Sequence, residues 1–152
     1  MTTTTDTTIS TDALVTMLNN TSTWAEKDPT ISQALQNADI NAIIEACDEF
    51  GLSELIASYH DEIDAKDVLK ALKYLSRKDG DTWQIIREYL AYATHDTEII
   101  TALVVDCISP ILIGDLTCCD NLINNAACPS IVRDILKRAC GDDIIKVLGY
   151  GE

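Results

Sequence analysis

The chain has 152 residues, 47% of them hydrophobic, with one Phe, two Trp and five Tyr. That is enough to bury one sizeable core, packed by aliphatic rather than aromatic side chains. Twenty-five acidic residues against 11 basic ones leave a formal charge of −14, which argues against nucleic acid and anionic membrane as direct partners and favours a basic one.

Residues 1–11, "MTTTTDTTIST", read as a flexible Thr-rich leader. They carry neither the basic start nor the apolar run of a secretory signal. Helical spacing then takes over. Leu14, Met17 and Leu18 share one face. Thr30 and Gln33, after Pro29, form a capping-box pattern. In "DINAIIEACDEF", Ile40, Ile43, Ile44, Cys47 and Phe50 recur at helical spacing, with Glu45, Asp48 and Glu49 opposite. Gly51 is expected to end or bend that helix, and Leu52, Leu55, Ile56 and Tyr59 to resume it.

A further helix starts at Asp64 and stops near Gly80, with Val68, Leu69, Leu72 and Leu75 inward. Lys66, Lys70, Lys73 and Arg77 share its other face. Asp81 and Asp96 cap the two helices that follow. The apolar run 99–116 approaches membrane-spanning length, but Asp106, Pro110 and Asp115 interrupt it. It reads as a buried helix, a break at Ser109-Pro110, and another helix. Pro129 opens the next one as a first-turn residue, with Cys128 at the cap and Ile131, Val132, Ile135 and Leu136 as its buried stripe. Gly141 ends it, and a short helix in "DDIIKVLGYGE" finishes the chain.

No segment alternates as a strand does, and no Asn-Gly or Asp-Gly turn joins alternating runs. The fold class expected is all-α: a compact stack of about eight or nine short antiparallel helices. The domain reading is a leader at 1–11 and a single helical domain at 12–152. An internal echo lies at an offset of 32 residues. It sets Leu90 on Leu122, Ile99-Ile100 on Ile131-Val132, Leu103 on Ile135 and Val104 on Leu136, the span of a two-helix repeat.

Within that echo, Asn125, Pro129, Val132, Ile135 and Leu136 form a pattern that resembles the leucine-rich-repeat-variant and related HEAT-like families of α-helical repeats. The resemblance covers mainly residues 121–140. It implies an α-solenoid-like stack that binds macromolecules on one face, and it implies no chemistry.

The chemistry-bearing residues point the same way. Six cysteines (Cys47, Cys107, Cys118, Cys119, Cys128 and Cys140) are expected reduced and buried, as befits a cytoplasmic chain. Zinc sites present thiolates in C-x2–4-C pairs, and none occurs here, so no metal and no cofactor are expected. The two histidines, His60 and His95, precede acidic residues at predicted helix ends, outside any nucleophile–base motif. No Gly-rich phosphate loop is present: the terminal "GYGE" follows no strand. The chain therefore reads as a non-enzyme.

Charge is uneven along the chain. Residues 30–80 hold ten acidic against five basic residues, 81–115 hold six against one, and 116–152 are nearly balanced at five against four. An acidic edge made of Glu45, Asp48, Glu49, Glu54, Asp61 and Glu62 is expected to steer a basic protein partner. The basic stripe on the 64–80 helix is expected to be a solvated face or to answer the acidic run at 45–49. The function read from the residues is an acidic protein-interaction module. Its sharpest form is an inhibitor that occupies a nucleic-acid-binding protein, as phage anti-defence or toxin-immunity proteins do. The alternative is a metal- or redox-responsive regulator built on the late cysteines.

Overall fold

The computed structural model describes residues 9–21, 26–78, 82–108 and 116–138. Among these residues the chain is all-α, with nine helices and no strand. They are α1 Thr11–Asn20, α2 Pro29–Leu35, α3 Ile40–Ala46, α4 Glu49–Tyr59, α5 Ala65–Leu75, α6 Thr82–Ala93, α7 Thr97–Ile108, α8 Leu116–Ile123 and α9 at 130–138. None is long and apolar enough to cross a membrane. The chain divides into two compact units, Met1–Trp83 and Gln84–Glu152. The leader's first eight residues, Asp81, the Ser109-Pro110 break with the start of the helix expected after it, and the final helix lie outside the described residues.

The first unit is organised around α4. Asp48 caps it, its Oδ1 accepting from the Gly51 N–H at 2.9 Å, and Glu49 adds negative charge to the first turn. Every residue from Gly51 to Tyr59 is buried, the condition of a helix with neighbours on all sides. It packs on α1 and α5, while α3 packs on α1 and α5 in turn. Leu14, Leu18, Ile43, Ile44, Leu52, Leu55, Ile56 and Val68 are fully buried, each contributing roughly 1.5–3 kcal/mol of burial.

Three sequence expectations shift by a helix boundary. Gly51 lies inside α4 and ends nothing: the chain breaks earlier, at Cys47-Asp48, where Asp48 begins a new helix. That break resets the helical phase, so Phe50 leaves the buried stripe of α3 and stands 60% exposed. Thr30 is not the cap of α2, because Asp28 takes that place, accepting from the Thr30 N–H at 2.9 Å with Pro29 at the first position. Finally, α5 ends at Leu75, and a turn carries Ser76–Lys78 on before Gly80.

In the second unit Asp96 caps α7 as expected, its Oδ1 accepting from Glu98 and Ile99 N–H at 2.8 and 3.2 Å. Asn121 Nδ2 donates to the Glu88 carbonyl at 2.8 Å. Asn125, 2% exposed, donates to the carbonyls of Ala91 and Thr94 at 2.9 and 2.8 Å while its Oδ1 accepts from the Ala127 N–H. The asparagines thus fasten α8 and its exit turn to α6.

The stripe expected on α9 is corrected. The first helical bond of α7 is Ile100 N–H to Asp96 O, and that of α9 is Arg133 N–H to Pro129 O. Pro129 therefore sits at the cap, one residue further along than an offset of 32 places it. A helix turns by about 100° per residue. This slip moves Ile131 and Ile135 to the surface, 69% and 47% exposed, and leaves Leu136 at 0% as the buried residue.

Candidate functional site

The six carboxylates expected to share an edge occupy three different places. Glu45, Asp48 and Glu49 gather where α3 gives way to α4. Glu45 and Asp48 are exposed and Glu49 is half-buried. Asp48 is held from two sides: its side chain caps α4, and its own N–H donates to Asn19 Oδ1 at 3.1 Å. Phe50, the only Phe in the chain, stands exposed directly after them.

Glu54 is not on any edge. It is 0% exposed in the interior of α4. Because that helix is covered on every side, no register of its face could bring the residue out. Its charge reaches Tyr59, whose phenol is pushed up chiefly by burial and further by the carboxylates of Glu54, Asp28 and Glu62, against the opposing Asp28 N–H.

Asp61 and Glu62 lie beyond the other end of α4, roughly 15 Å along its axis from Asp48. Lys27 Nζ binds Asp61 at 2.8 Å and Glu62 at 2.9 Å, and Ser32 Oγ donates to Glu62 at 3.1 Å. Beside them the Asp28 N–H donates to the Tyr59 hydroxyl at 2.8 Å. Burial alone would raise the Asp61 carboxyl, but the Lys27 hydrogen bond and charge outweigh it and hold it below the usual carboxylate range. Lys27 is raised in turn, first by its bond to Asp61. These two carboxylates clasp the segment before α2 and are partly neutralised.

The acidic edge therefore narrows to Glu45, Asp48 and Glu49. The basic stripe of α5 lies alongside it. Lys70 donates to Asn41 Oδ1 at 2.8 Å and stands 3.9 Å from Glu45. Lys70 and Arg77 flank the Tyr74 ring at 5.6 and 5.4 Å. Lys66, Lys73 and Lys78 are exposed. A second acidic group lies at Asp39, Asp64 and Asp67, of which the sequence pattern marks only Asp64, as a helix start. Burial, then the Asp64 and Asp39 charges, raise the Asp67 carboxyl against the pull of Lys70.

Cys47, Cys118, Cys119 and Cys128 are buried thiols. Burial first, then the Asp48 charge, pushes the Cys47 thiol up to about 12 despite Lys78. Burial likewise raises Cys128 against Arg133. Among the described residues no group of three or more His, Cys, Asp and Glu could hold a metal ion. Cys140 and the Cys107 side chain lie outside the described residues. His95 is exposed beside the α7 cap, and His60 is half-buried at the end of α4.

Neither a family model, nor a curated protein, nor a solved structure matches the chain.

Proposed function

We propose that the protein is a non-enzymatic interaction module whose acidic edge takes a basic segment of another protein. The observation that carries this is the closeness in sequence of Glu45, Asp48 and Glu49, at the α3–α4 junction, to the 60%-exposed Phe50. An aromatic anchor ringed by polar groups is the anatomy of a binding hot spot. The carboxylates supply steering and register, and the ring supplies desolvated contact area. In its sharpest form the partner is a nucleic-acid-binding protein, and the edge competes with phosphates for its basic groove.

A repeat-like architecture belongs to the same proposal. Asn121 reaches Glu88 and Asn125 reaches Ala91, 33 and 34 residues away in sequence. Asn121 lies in α8 and Asn125 just beyond its end, so the chain through α8 and its exit turn advances in the same sense as α6, as equivalent helices of successive repeats do. This supports the resemblance to HEAT-like units without adding chemistry. The alternative regulator built on the late cysteines gains less support, since Cys118, Cys119 and Cys128 are each at most 1% exposed.

The experiment is capture of partners from the native host, followed by titration of the basic partner against salt. Affinity is expected to fall several-fold as salt rises, and to fall at constant salt for Glu45→Lys with Glu49→Lys. An affinity indifferent to both changes would sink the electrostatic reading.

A further inference from the structure

The helix α9 carries the chemistry that the acidic edge is built to accept. Its residues 130–138 hold Arg133, Lys137 and Arg138 against a single Asp134. Lys137 and Arg138 are exposed, as are Ile131 and Ile135, one turn apart on one face. The result is a basic helix with an exposed apolar pair in a chain of charge −14. The edge offers the complement: three carboxylates at the α3–α4 junction, followed by an exposed aromatic. Self-association of so acidic a chain is opposed by repulsion everywhere except where unlike patches meet. Among the described residues, α9 joins positive charge to exposed aliphatic side chains, and the α3–α4 junction joins negative charge to an exposed ring.

We infer that the protein self-associates head to tail, with α9 of one copy docked on the Glu45–Phe50 edge of the next. This rests on the reading of the edge given above and names a second copy of the chain as one occupant of it. Ile131 and Ile135 lie against Phe50, and Arg138, seven residues after Ile131 on the same face, faces Glu45, Asp48 and Glu49. Such a contact is heterologous, leaving a free edge at one end of the assembly and a free α9 at the other, so assemblies grow beyond the dimer unless the rotation closes a ring. A foreign basic partner bound at the edge displaces α9.

The test is sedimentation equilibrium of the purified 152-residue chain, with no other protein present, over a range of concentration and salt. The expected result is a mass rising with concentration above the 16.7 kDa monomer, with association weakening as salt increases. Phe50→Asp and Ile131→Asp alter exposed side chains, and circular dichroism checks that each variant folds. Each is expected to be monomeric alone. Mixed, they are expected to form a one-to-one dimer that grows no further, because the first retains a working α9 and the second a working edge. Lys137→Glu with Arg138→Glu is expected to weaken association by about tenfold or more. A chain that stays monomeric at every concentration overturns the inference, as does a folded mixture that forms no dimer or growth in which each single variant equals the parent. None of these outcomes depends on whether a foreign partner exists, so the two readings fail separately.

Discussion

Asn19 and Asp48, 29 residues apart in sequence, are joined by a hydrogen bond from the Asp48 N–H to Asn19 Oδ1 at 3.1 Å, and the helix that Asp48 caps meets α1 at Gly51. A Cβ on Gly51 would collide with Asn19 Oδ1 and stand only 2.9 Å from Cys47 Sγ. Glycine inside a helix gives up roughly 1 kcal/mol relative to alanine. Here the close approach outweighs that. Gly51→Ala is expected to destabilise by about 1–3 kcal/mol net of the propensity gain. Urea denaturation measures it, and Asn19→Ala in the same background should recover part of the loss. A stabilised Gly51→Ala would contradict the packing.

Asn125 makes three hydrogen bonds from a site 2% exposed. Asn125→Ala leaves two carbonyls and one N–H without this partner and is expected to cost about 2–4 kcal/mol. Asn125→Asp should cost more at neutral pH, since a carboxylate cannot donate to the Ala91 and Thr94 carbonyls. Thermal melts of both variants rank them; an Asp variant as stable as the parent would refute the clasp.

The Lys27 clasp predicts a pH dependence with two limbs. The folded Asp61 carboxyl lies below its ordinary value. Its contribution is therefore present above about pH 4 and lost as pH falls through the folded value. Lys27 is raised, so its contribution is present below about pH 10 and lost as pH rises through the raised value. Both groups are substantially exposed, which limits the effect to about 1 kcal/mol or less. Lys27→Met should flatten both limbs of a stability–pH curve, and Asp61→Asn the acid limb in particular. Unchanged limbs would show the pair to be idle.

The buried thiols predict slow labelling. At pH 8 in native buffer, Cys47, Cys118, Cys119 and Cys128 should resist a thiol reagent and become reactive on unfolding. Mass spectrometry of the labelled peptides reads each site. Fast native modification of Cys47, whose thiol is pushed up to about 12, would place it outside the core.

Much of the fold was legible because apolar periodicity is read over many residues at once. Leu52, Leu55, Ile56 and Tyr59 are all buried as their spacing requires, and Asp96 caps where it should. The misreadings fall where one residue decides the phase. At Cys47-Asp48 a new helix starts within a run that looks continuous, and it takes Phe50 outside. At Glu54 the spacing is silent, because α4 is covered on every side and polarity no longer marks an outer face. The two ends of the expected edge parted for another reason: which carboxylates Lys27 reaches is a tertiary fact, and no local pattern encodes a pair 34 residues apart.

The start of α9 at Pro129, one residue beyond the place that the 32-residue echo gives it, makes length itself a control on the surface. Inserting one residue just after Pro129 would turn the rest of α9 by about 100° and carry Ile131 and Ile135 to the half-buried and buried places that Val132 and Leu136 now hold, without altering a single side chain of the helix. A substitution edits one position of a face, whereas a three-nucleotide deletion or insertion here exchanges the whole face at once. Descendants of this chain thus have a short mutational route between an adhesive α9 and an inert one.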